Sequence, residues 1–585
     1  MSGDIRNNIL NFLVIGFIFY GTGVYAQNTI NQDVKVIREY NPTVSDALKI
    51  EQMPELDDTT SYHPSFKYSI LSRAFETANE LEPISPAKMA KRKNSLLNNT
   101  YTKFGVGTHN TVFGELYYNL LRNEKYTLGL NIAHQSSFGE ITLDDKTEVK
   151  TPYHDTYAGI SFRSIFDKVT LSSGLSFTHN IYEYYGLQTV APDTQYVNPI
   201  NSNPYSGDAL KIKSTQRISS FKLNFGLHNR ETGIENTKWK TNLNYLTFGN
   251  KTGAKENRFE LSGSLHVPVN NVYFDLDAII SSYSVNFPNS VSPALNFKNK
   301  QSTYISVLPR IGLQFYQAYL EGGMLLTGTV GGNQDEIKLA PHITGNLTIA
   351  EGIVSIFGGI TGEYNFNDYS KIYYENPYIS PDLLVNNSFY GINIHGGIKG
   401  NFSNTTSFTA RVDYNYFNDE HFFINKFYER SAPVDTSIYD YSNLFEVVYD
   451  NGSLLKVQGE LLIKPDEKTN LRLYAIYNGW NLEDQKYAWN KPETEIGMHG
   501  SLKLSETITV NSNLALLGKR YAFIKGSEAK KLDPIFDVNL GVDYHLNKTW
   551  TFWGQINNLA SMKYYRWNGY PSYGFNLLVG ANYSF

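Results

Sequence analysis

The sequence predicts an all-β chain that folds as a transmembrane antiparallel β-barrel of about 22 strands. Three observations predict this fold: apolar and polar residues alternate over long runs, short and long connections follow one another, and the chain ends on an aromatic residue. Charged residues make up only 18% of the chain, against about 25% in ordinary globular domains. The mean hydropathy of −0.36 is compatible with a barrel, since a polar lumen face offsets an apolar outer face.

Charge and cysteine content exclude several classes of function. The 585 residues carry a formal net charge of −5, so the chain lacks the positive field with which proteins bind nucleic acid. No nucleic-acid partner is therefore expected. The absence of cysteine excludes a disulfide scaffold, a zinc ribbon and thiol catalysis.

Residues 1–26 are predicted to be a secretory signal peptide. Arg6 precedes an apolar run from Ile9 to Tyr20, and Val24-Tyr25-Ala26 places a small residue at the expected cleavage point. The run is about 12 residues long, which is shorter than the ~20 residues that a membrane-spanning helix needs. The alternative interpretation is an uncleaved N-terminal anchor.

Residues 27–99 are predicted to form a periplasmic N-terminal segment or a reduced plug. They include several prolines and many acidic residues, and no pattern in them would bury a large core. Val34–Ile37 is compatible with a short strand, and Ser45 is predicted to cap one helical turn that follows it. The basic run from Lys88 to Lys93 is either a solvated linker or a collar that touches anionic lipid headgroups.

From about Tyr101 the hydrophobic period becomes two. In Phe221–His228 every odd position is apolar and every even position is polar or glycine, and Phe536–Leu546, Ile305–Phe315 and Phe408–Tyr416 show a similar pattern. Such alternation predicts strands with one apolar and one polar face. Because lipid offers no hydrogen-bonding partner, an open sheet would leave unpaired edges in the membrane, and closure into a barrel leaves none.

Strand and connection lengths favour a membrane barrel over a soluble sandwich, which also alternates. The runs cover about 9–14 residues, longer than strands of soluble sheets and sufficient to cross the hydrocarbon. Short connections occur at residues 122–125, 166–168, 269–271, 350–352, 403–405, 465–468 and 547–549. Long polar stretches lie between them at residues 139–155, 183–210, 288–299, 367–387, 418–450, 482–490, 521–532 and 561–572. Short periplasmic turns and longer outer loops are typical of outer-membrane barrels.

The barrel is expected to span residues 100–585, and the runs are compatible with 16 to 22 strands. A count of about 22 leaves roughly 22 residues for each strand with its connection. The first hairpin, residues 101–121, has the weakest pattern because its opening run covers only about eight residues. Residues 418–450 are long enough to hold an extra hairpin.

The C-terminus gives the sharpest local signal. In Tyr573–Phe585 every odd position is apolar, and the chain ends on Phe585. This end is similar to the terminal strand of outer-membrane barrels, which the barrel-assembly machinery recognises. Tyr583 and Phe585 are therefore the predicted assembly signal.

The segment that precedes this strand carries a family resemblance. Phe552–Leu559, followed by Lys563-Tyr564-Tyr565 and Tyr570-Pro571, resembles the end of TonB-dependent receptor barrels. In that family an Asn-Leu pair precedes a tyrosine-containing last loop and an aromatic-terminated strand. Long loops rich in Tyr and Asn, with Gln27 after the predicted cleavage point, resemble the Bacteroidetes type. The resemblance implies an outer-membrane barrel that takes part in solute uptake.

The chain departs from that family at its N-terminus. TonB-dependent receptors carry a plug of well over a hundred residues inside the barrel, whereas only about seventy residues precede the first predicted strand here. Asp33–Ile37 loosely matches a TonB box, with an ordinary edge strand as the alternative. A barrel of about 22 strands is wide enough to need a plug, so residues 28–99, inward-folded loops or a partner must fill it, or it leaks.

Motifs for catalysis are missing from the sequence. It contains no metalloprotease, nucleophile-elbow, phosphate-loop or calcium-loop motif, so the protein is predicted not to be an enzyme and no cofactor or metal site is expected. Six histidines are placed near strand ends or on polar faces, where a solvated role is the ordinary one: His134, His179, His228, His266, His395 and His545. His154-Asp155 suggests an acid–base pair without a nucleophile.

Two pairs of aspartates are predicted to line the lumen. Asp275 and Asp277 share one strand face, and Asp537 and Asp543 share another. They either favour cations or stabilise the interior by pairing with lumenal Arg and Lys, and the second interpretation is the simpler.

Two functional hypotheses follow. The first is an uptake barrel for a bulky nutrient in the outer membrane of a Gram-negative bacterium, energised by a periplasmic partner. The second is a structural or assembly subunit of a larger outer-membrane complex. The expected partners are outer-membrane lipid, the barrel-assembly machinery, and TonB or other periplasmic or outer-membrane proteins.

Overall fold

The structure is a computed structural model that describes residues 99–144, 146–186, 215–231, 233, 235–287, 299–331, 335–381, 383, 385–427, 441–524 and 528–585. The predicted signal peptide, the N-terminal segment up to residue 98 and the loose TonB-box match lie outside these residues. The described residues belong to a single compact unit.

Strands dominate the described residues. In chain order they are β1 (Thr100–Gly107), β2 (Thr111–Arg122), β3 (Tyr126–Ser137), β4 (Glu140–Thr142), β5 (Glu148–Lys150), β6 (Tyr153–Ile165), β7 (Val169–Glu183), β8 (Thr215–Asn229), β9 (Lys238–Asn250), β10 (Lys255–Val269), β11 (Val272–Asn286), β12 (Asn299–Gln314), β13 (Ala318–Gly331), β14 (Glu336–Ala350), β15 (Val354–Asn365), β16 (Ser388–Ser403), β17 (Thr406–Phe427), β18 (Tyr441–Ile463), β19 (Thr469–Leu482), β20 (Thr494–Lys503), β21 (Ile508–Leu517), β22 (Arg520–Ile524), β23 (Glu528–Leu532), β24 (Ile535–His545), β25 (Trp550–Asn557), β26 (Tyr565–Trp567), β27 (Tyr570–Pro571) and β28 (Asn576–Ser584).

Within the described residues one short helix, α1 (Tyr369–Glu375), lies between β15 and β16. None of the helical structure in the described ranges is both long and apolar enough to cross a membrane, and this finding concerns helices alone.

Twenty-two of the strands form one antiparallel sheet that closes on itself. Neighbours in sequence pair with each other, and β1 also pairs with β28 from Tyr101↔Ser584 to Gly107↔Leu578. Closure leaves no free sheet edge, as the backbone requires in lipid. The predicted barrel and its count of 22 strands are confirmed, and the short opening strand of the first hairpin is confirmed as β1.

The pairing between β1 and β28 contains two opposed glycines, which a tryptophan side chain covers. Gly105 lies opposite Gly580, and a side chain at either position would collide with the indole of Trp553 on β25. Lys103 Nζ lies over that indole, 4.4 Å from its centroid. The two glycines therefore make room for the aromatic side chain that covers the pairing of β1 with β28.

The outer face of the barrel is apolar and the inner face is polar. Ile311, Ile343 and Val579 are 58%, 48% and 48% exposed although they lie in the middle of paired strands. Alternate positions on the same strands carry polar groups such as Arg310 and His342. Exposed apolar side chains at this density suit contact with acyl chains.

The two rims of the barrel differ. The turn rim carries the short connections between β2 and β3, β6 and β7, and so on to β24 and β25. Asn123 Oδ1 accepts hydrogen bonds from the backbone N–H groups of Lys125 and Tyr126 at 2.9 and 2.6 Å, and Asn547 makes the equivalent pair of bonds in its own turn. These turns are thus stabilised by residues inside them.

The loop rim carries the long connections, and several of them hold structure that the sequence analysis did not predict. Residues 367–387 contain α1, while β4–β5, β22–β23 and β26–β27 are small hairpins in three other predicted loops. The predicted loop 418–450 is largely strand, because β17 and β18 extend to Phe427 and start at Tyr441, past a bulge at Phe417/Glu420. No separate hairpin forms within the described part of that region.

Candidate functional site

Loops at the loop rim meet over the lumen and form an apolar core of their own, which we call the loop cap. Ile218 and Phe248 come from β8 and β9, whereas Phe423 and Phe445 come from β17 and β18. β8 is the sixth and β17 the fifteenth barrel strand, so these side chains come from opposite walls. The cap core consists of Ile218, Phe248, Ala254, Tyr283, Val285, Phe287, Tyr369, Ile372, Tyr373, Ile379, Leu383, Val385, Phe423, Phe445, Trp567 and Tyr570.

Hydrogen bonds join the same loops across the mouth. Asn443 Nδ2 donates to the carbonyl oxygen of Tyr184 at 2.9 Å, and the Tyr184 hydroxyl donates to the carbonyl oxygen of Ile379 at 3.0 Å. Tyr570 donates its hydroxyl to the carbonyl oxygen of Asn443 at 2.7 Å. Each of these groups is buried, where a hydrogen bond left unmade costs about 1–3 kcal/mol. The bonds therefore fix which loops meet.

The last loop, residues 558–575, is the hub of the cap. Its Tyr570 ring stacks on Tyr378 with 3.6 Å between the centroids, and Tyr573 donates a hydrogen bond to the carbonyl oxygen of Thr151 at 2.9 Å. Burial raises the pKa of Tyr378 to about 12 and that of Tyr570 well above its ordinary value. Both hydroxyls therefore stay protonated at any physiological pH.

A second apolar cluster packs on the opposite face of β17 from the cap core. Phe422 and Ile424, on the extension of β17, pack with Trp489 of the next loop and with Tyr521 and Phe523 of β22. Neighbouring residues of β17, such as Phe423, point into the cap core instead. The extended β17–β18 hairpin is therefore buried on both faces, which explains why it continues past the rim as regular strand.

α1 is fastened to the wall at β10 by a cluster of buried polar groups. Arg258 makes a short ion pair with Asp368, and Asp368 caps the helix by accepting from the backbone N–H of Lys371 at 2.7 Å. Ser370 donates its hydroxyl to Glu256 at 2.8 Å and its backbone N–H to the same carboxylate at 2.9 Å. We call the contact between Arg258 and Asp368 the latch.

A cavity of about 610 Å3 runs along the lumen wall toward this latch. Two neighbouring rows of lumen-facing residues, each crossing β2, β3, β6, β7, β8, β9 and β10 in register, supply the inner surface of this trough. The upper row consists of Tyr117, Asn131, Gly159, Ser176, Lys222, Leu246 and Arg258. The lower row consists of Asn119, Gly129, Ser161, Gly174, Asn224, Asn244 and Glu260.

Small residues shape the floor of the trough. The amide of Asn131 lies over Gly159, and the amide of Asn224 lies over Gly174, so that a Cβ at either glycine would collide with it. Asn244 Nδ2 donates to Glu260 Oε1 at 3.1 Å. Lys222 makes no ion pair with any residue that the structure describes, and its Nζ lies 5.6 Å from the centroid of Tyr374 on α1. The β8–β10 end of the upper row therefore carries two cations, Lys222 and Arg258, and both face α1.

The lumen-facing carboxylates on β11 are paired. Asp275 contacts His266 Nδ1 at 2.6 Å, Asp277 contacts Arg310 Nη2 at 2.6 Å, and Arg310 Nε lies 3.2 Å from Glu321. This network agrees with the simpler prediction that the aspartates stabilise the interior. The described residues contain no group of three or more metal-ligating side chains.

The second predicted aspartate pair also lines the lumen. Asp543 accepts from Asn511 Nδ2 at 2.7 Å, and Asp537 accepts from the Tyr564 hydroxyl at 3.3 Å. Partial burial of the Tyr564 hydroxyl, as the larger cause, and the negative charge of Asp537, as the next, raise the pKa of Tyr564 to about 12. Asp537 thus ties the last loop to the wall.

The predicted histidines do not gather into a site. His134 contacts Thr156 at 2.8 Å, and His179 contacts Ser219 at 2.9 Å. Both histidines lie close to the loop rim, on the barrel face that also carries the exposed Phe177. His545 contacts Thr551 at 2.9 Å. Asp155, the neighbour of His154, accepts instead from Asn180 at 2.6 Å.

The predicted assembly signal lies at the turn rim. Phe585 exchanges backbone hydrogen bonds with Thr100, at 3.0 and 3.1 Å, and its side chain is 59% exposed. The Tyr583 ring lies 4.7 Å from Trp550 and 5.2 Å from Phe585, centroid to centroid. Recognition of these residues by the assembly machinery stays a prediction.

Sequence reasoning missed the loop cap, the latch and the trough. The alternation identified the lumen face of each strand, but not which lumen residues share a row, because register across seven strands depends on every intervening turn. Asp368, three residues before Lys371, was a readable capping signal for α1.

No family model matches the sequence, and no curated protein matches it. Solved structures do match the fold. The ferric-catecholate import receptor Fiu of Escherichia coli K12 is 10% identical with a TM-score of 0.59, and the match covers 83% of this chain and 82% of that chain. The ferric enterobactin receptor PfeA of Pseudomonas aeruginosa, as a mutant, is 12% identical with a TM-score of 0.59 over 83% and 80%. The copper transporter OprC is 10% identical with a TM-score of 0.58 over 83% and 82%.

These likenesses confirm, for the fold, the resemblance to the barrel of TonB-dependent outer-membrane receptors. At 10–12% identity they concern architecture, and the chemistry of this chain has to be argued from its own residues.

Proposed function

We propose that the protein is an outer-membrane barrel that takes part in moving a solute across the outer membrane of a Gram-negative bacterium. The observation that carries the proposal is a polar cavity along the wall of a lipid-facing barrel, below a mouth that its own loops close. A closed mouth over a polar site suits admission of a selected solute, since a simple pore needs neither. The solved structures with this fold include import receptors and a copper transporter.

In this proposal residues 1–26 direct export, residues 27–99 lie in the periplasm and residues 100–585 form the barrel. The loop rim faces outward, because the C-terminal Phe585 and the short connections share the opposite rim and short turns are the periplasmic feature of such barrels. TonB or another periplasmic protein is the expected partner of the N-terminal segment. No catalytic role is proposed.

A second candidate function has one observation in its favour. The loop cap has a buried aromatic core and cross-mouth hydrogen bonds, which suits a permanently closed barrel that serves as a structural or assembly subunit of a larger complex. The two functions differ in whether the mouth ever opens.

Planar-bilayer conductance of the full chain, purified from native membranes in mild detergent, distinguishes them. The transport proposal expects a low basal current that rises when the cap is released by Tyr570→Ala or when residues 28–99 are deleted. A strand-rich circular dichroism spectrum shows that each variant keeps the barrel. Silence of every folded variant, together with stoichiometric copurifying proteins, would support the structural role and overturn transport.

A further inference from the structure

We propose that the trough binds an elongated, polyhydroxylated ligand with an acidic group at one end, an acidic oligosaccharide, and that this acidic group releases the latch. The inference rests on the proposed function, because it concerns the same lumen. It adds the chemical class of the ligand and the event that opens the cap.

The shape of the trough sets the shape of the ligand. Its rows cross seven neighbouring strands, which at about 4.8 Å per strand makes a track of roughly 29 Å along the wall. Gly159 and Gly174 keep the floor low, since side chains there would meet the amides of Asn131 and Asn224. A long and narrow ligand fits such a track, whereas a compact one leaves most of it unused.

The polar groups of the trough set the ligand's middle part. Asn131, Asn224 and Asn244 offer amides, while Ser161 and Ser176 offer hydroxyls. Amides and hydroxyls both donate and accept, as sugar hydroxyls do, and Tyr117 at the far end adds an aromatic face. A peptide fits less well, because recognition of an extended peptide uses a free strand edge and every strand of this wall is paired on both sides.

The charges of the trough set the position of the acidic end. Lys222, Leu246 and Arg258 are direct neighbours in the upper row, so the backbones that carry the two cations lie about 10 Å apart on either side of a buried leucine. Lys222 makes no ion pair with the described residues and its Nζ faces the Tyr374 ring, and Glu260 is already bonded to Asn244. An anion between Lys222 and Arg258 would gain charge-assisted hydrogen bonds that a neutral ligand lacks.

The same position couples the ligand to the cap. Arg258 is the wall partner of Asp368, and Asp368 caps α1. Lys222 faces Tyr374 of the same helix. A ligand anion that engages Arg258 therefore competes with Asp368, and an anion that also engages Lys222 takes from the helix its contacts with the two cations of the trough. Binding and unlatching are thus a single exchange of partners.

Isothermal titration calorimetry on the full-length protein in detergent tests the site, with a linear malto-oligosaccharide oxidised to a carboxylate at its reducing end as the acidic probe and the unoxidised malto-oligosaccharide of equal length as the neutral one. The acidic probe is expected to bind about tenfold more tightly, as the gain of one charged hydrogen bond implies. Lys222→Gln should remove that advantage and leave the neutral probe unchanged. Lys240→Gln, a lumenal lysine of β9 outside the trough, is the matched control and should change neither.

Asp368→Asn tests the competition. If the ligand anion and Asp368 compete for Arg258, this variant binds the acidic probe severalfold more tightly than the native chain and binds the neutral probe unchanged. A merely structural role of Asp368 would weaken both probes or neither. The chain has no cysteine, so a fluorophore at the cysteine introduced by Lys371→Cys, an exposed position of α1, reports release, and only the acidic probe should change its emission.

Absence of binding by both probes, or equal binding of both, overturns the site. Equal affinity of the native chain and Asp368→Asn overturns the unlatching. Neither result bears on the conductance experiment, so the inference and the proposed function fail separately. Variants that lose the strand spectrum are replaced by Asn224→Ala, which should weaken both probes without touching the latch.

Discussion

The two rims of the barrel hold their connections in place with hydrogen bonds that differ in how far apart the bonded residues lie in sequence. At the turn rim several connections are held by side chains within three positions of the groups they bond, as in Asn123 with Tyr126 and Asn547 with Trp550. At the loop rim the bonds join residues that are distant in sequence: Asn443 and Tyr184 are 259 positions apart, and Tyr573 and Thr151 are 422 apart. The turn rim therefore forms as soon as each hairpin forms, whereas the loop cap exists only in the closed barrel.

This difference indicates which end of the barrel carries the function. Local turns have no second arrangement to adopt, so the turn rim fixes the register of the strands. A cap assembled from several separated connections adds one cooperative unit to the barrel, and such a unit can open while the strands stay paired. The mouth, the latch and the trough are all at this end or connected to it.

The largest expected effect comes from removing the aromatic centre of the cap. Trp567→Ala combined with Tyr570→Ala takes away two buried rings, each worth about 3–5 kcal/mol on truncation, and the Tyr570 bond to Asn443. We expect a severalfold increase in single-channel current in planar bilayers and an unchanged strand spectrum. Tyr316→Ala, at a turn-rim side chain that is 90% exposed, should leave the current as it is. Equal currents in the double variant and the native chain would show that the loop cap does not limit the current, which would contradict the difference between the two rims.

An intermediate and purely local effect is expected at the turn rim. Gly352 has a φ of +71°, a conformation that costs an L-residue about 1–2 kcal/mol. Gly352→Ala should lower the free energy of unfolding in urea by about that amount, measured in lipid vesicles, without altering conductance. Gly114→Ala, on β2 where an added Cβ meets no atom within 4 Å, is the control. A change of current in Gly352→Ala would mean that the rims are coupled.

The smallest effect is expected from pH at α1. Glu375 lies 2.7 Å from His421 Nε2; burial opposes ionisation, but the hydrogen bond and charge of His421, followed by Lys491 and Lys371, hold the pKa of Glu375 below its ordinary value of 4.5. Since the folded pKa is the lower one, this contact stabilises the cap above about pH 4.5 and is lost as pH falls through the folded pKa. Current fluctuations should therefore increase modestly in acid. Glu375→Gln should show no such increase.

Prediction from sequence succeeded where the determinants are local. Alternation in Phe221–His228 and Phe536–Leu546 assigned the two faces of β8 and β24, and the end at Phe585 placed the last strand. The motif Lys563-Tyr564-Tyr565 with Tyr570-Pro571 suggested a barrel family, yet nothing in it indicated that this loop is the hub of a cap. Tyr570 contacts Tyr378 and Asn443, and no pattern along the chain relates those three positions.

By itself the sequence determined a closed sheet of long strands, apolar outside and polar inside, because side-chain alternation and the need to pair every backbone group act within each strand and its neighbour. Only the tertiary structure decided that Lys222 and Arg258 share a row, that Arg258 meets Asp368 and that opposite walls meet in the loop cap. The physical reason is register and closure: positions on strands far apart in the chain become neighbours only after every pairing between them is fixed.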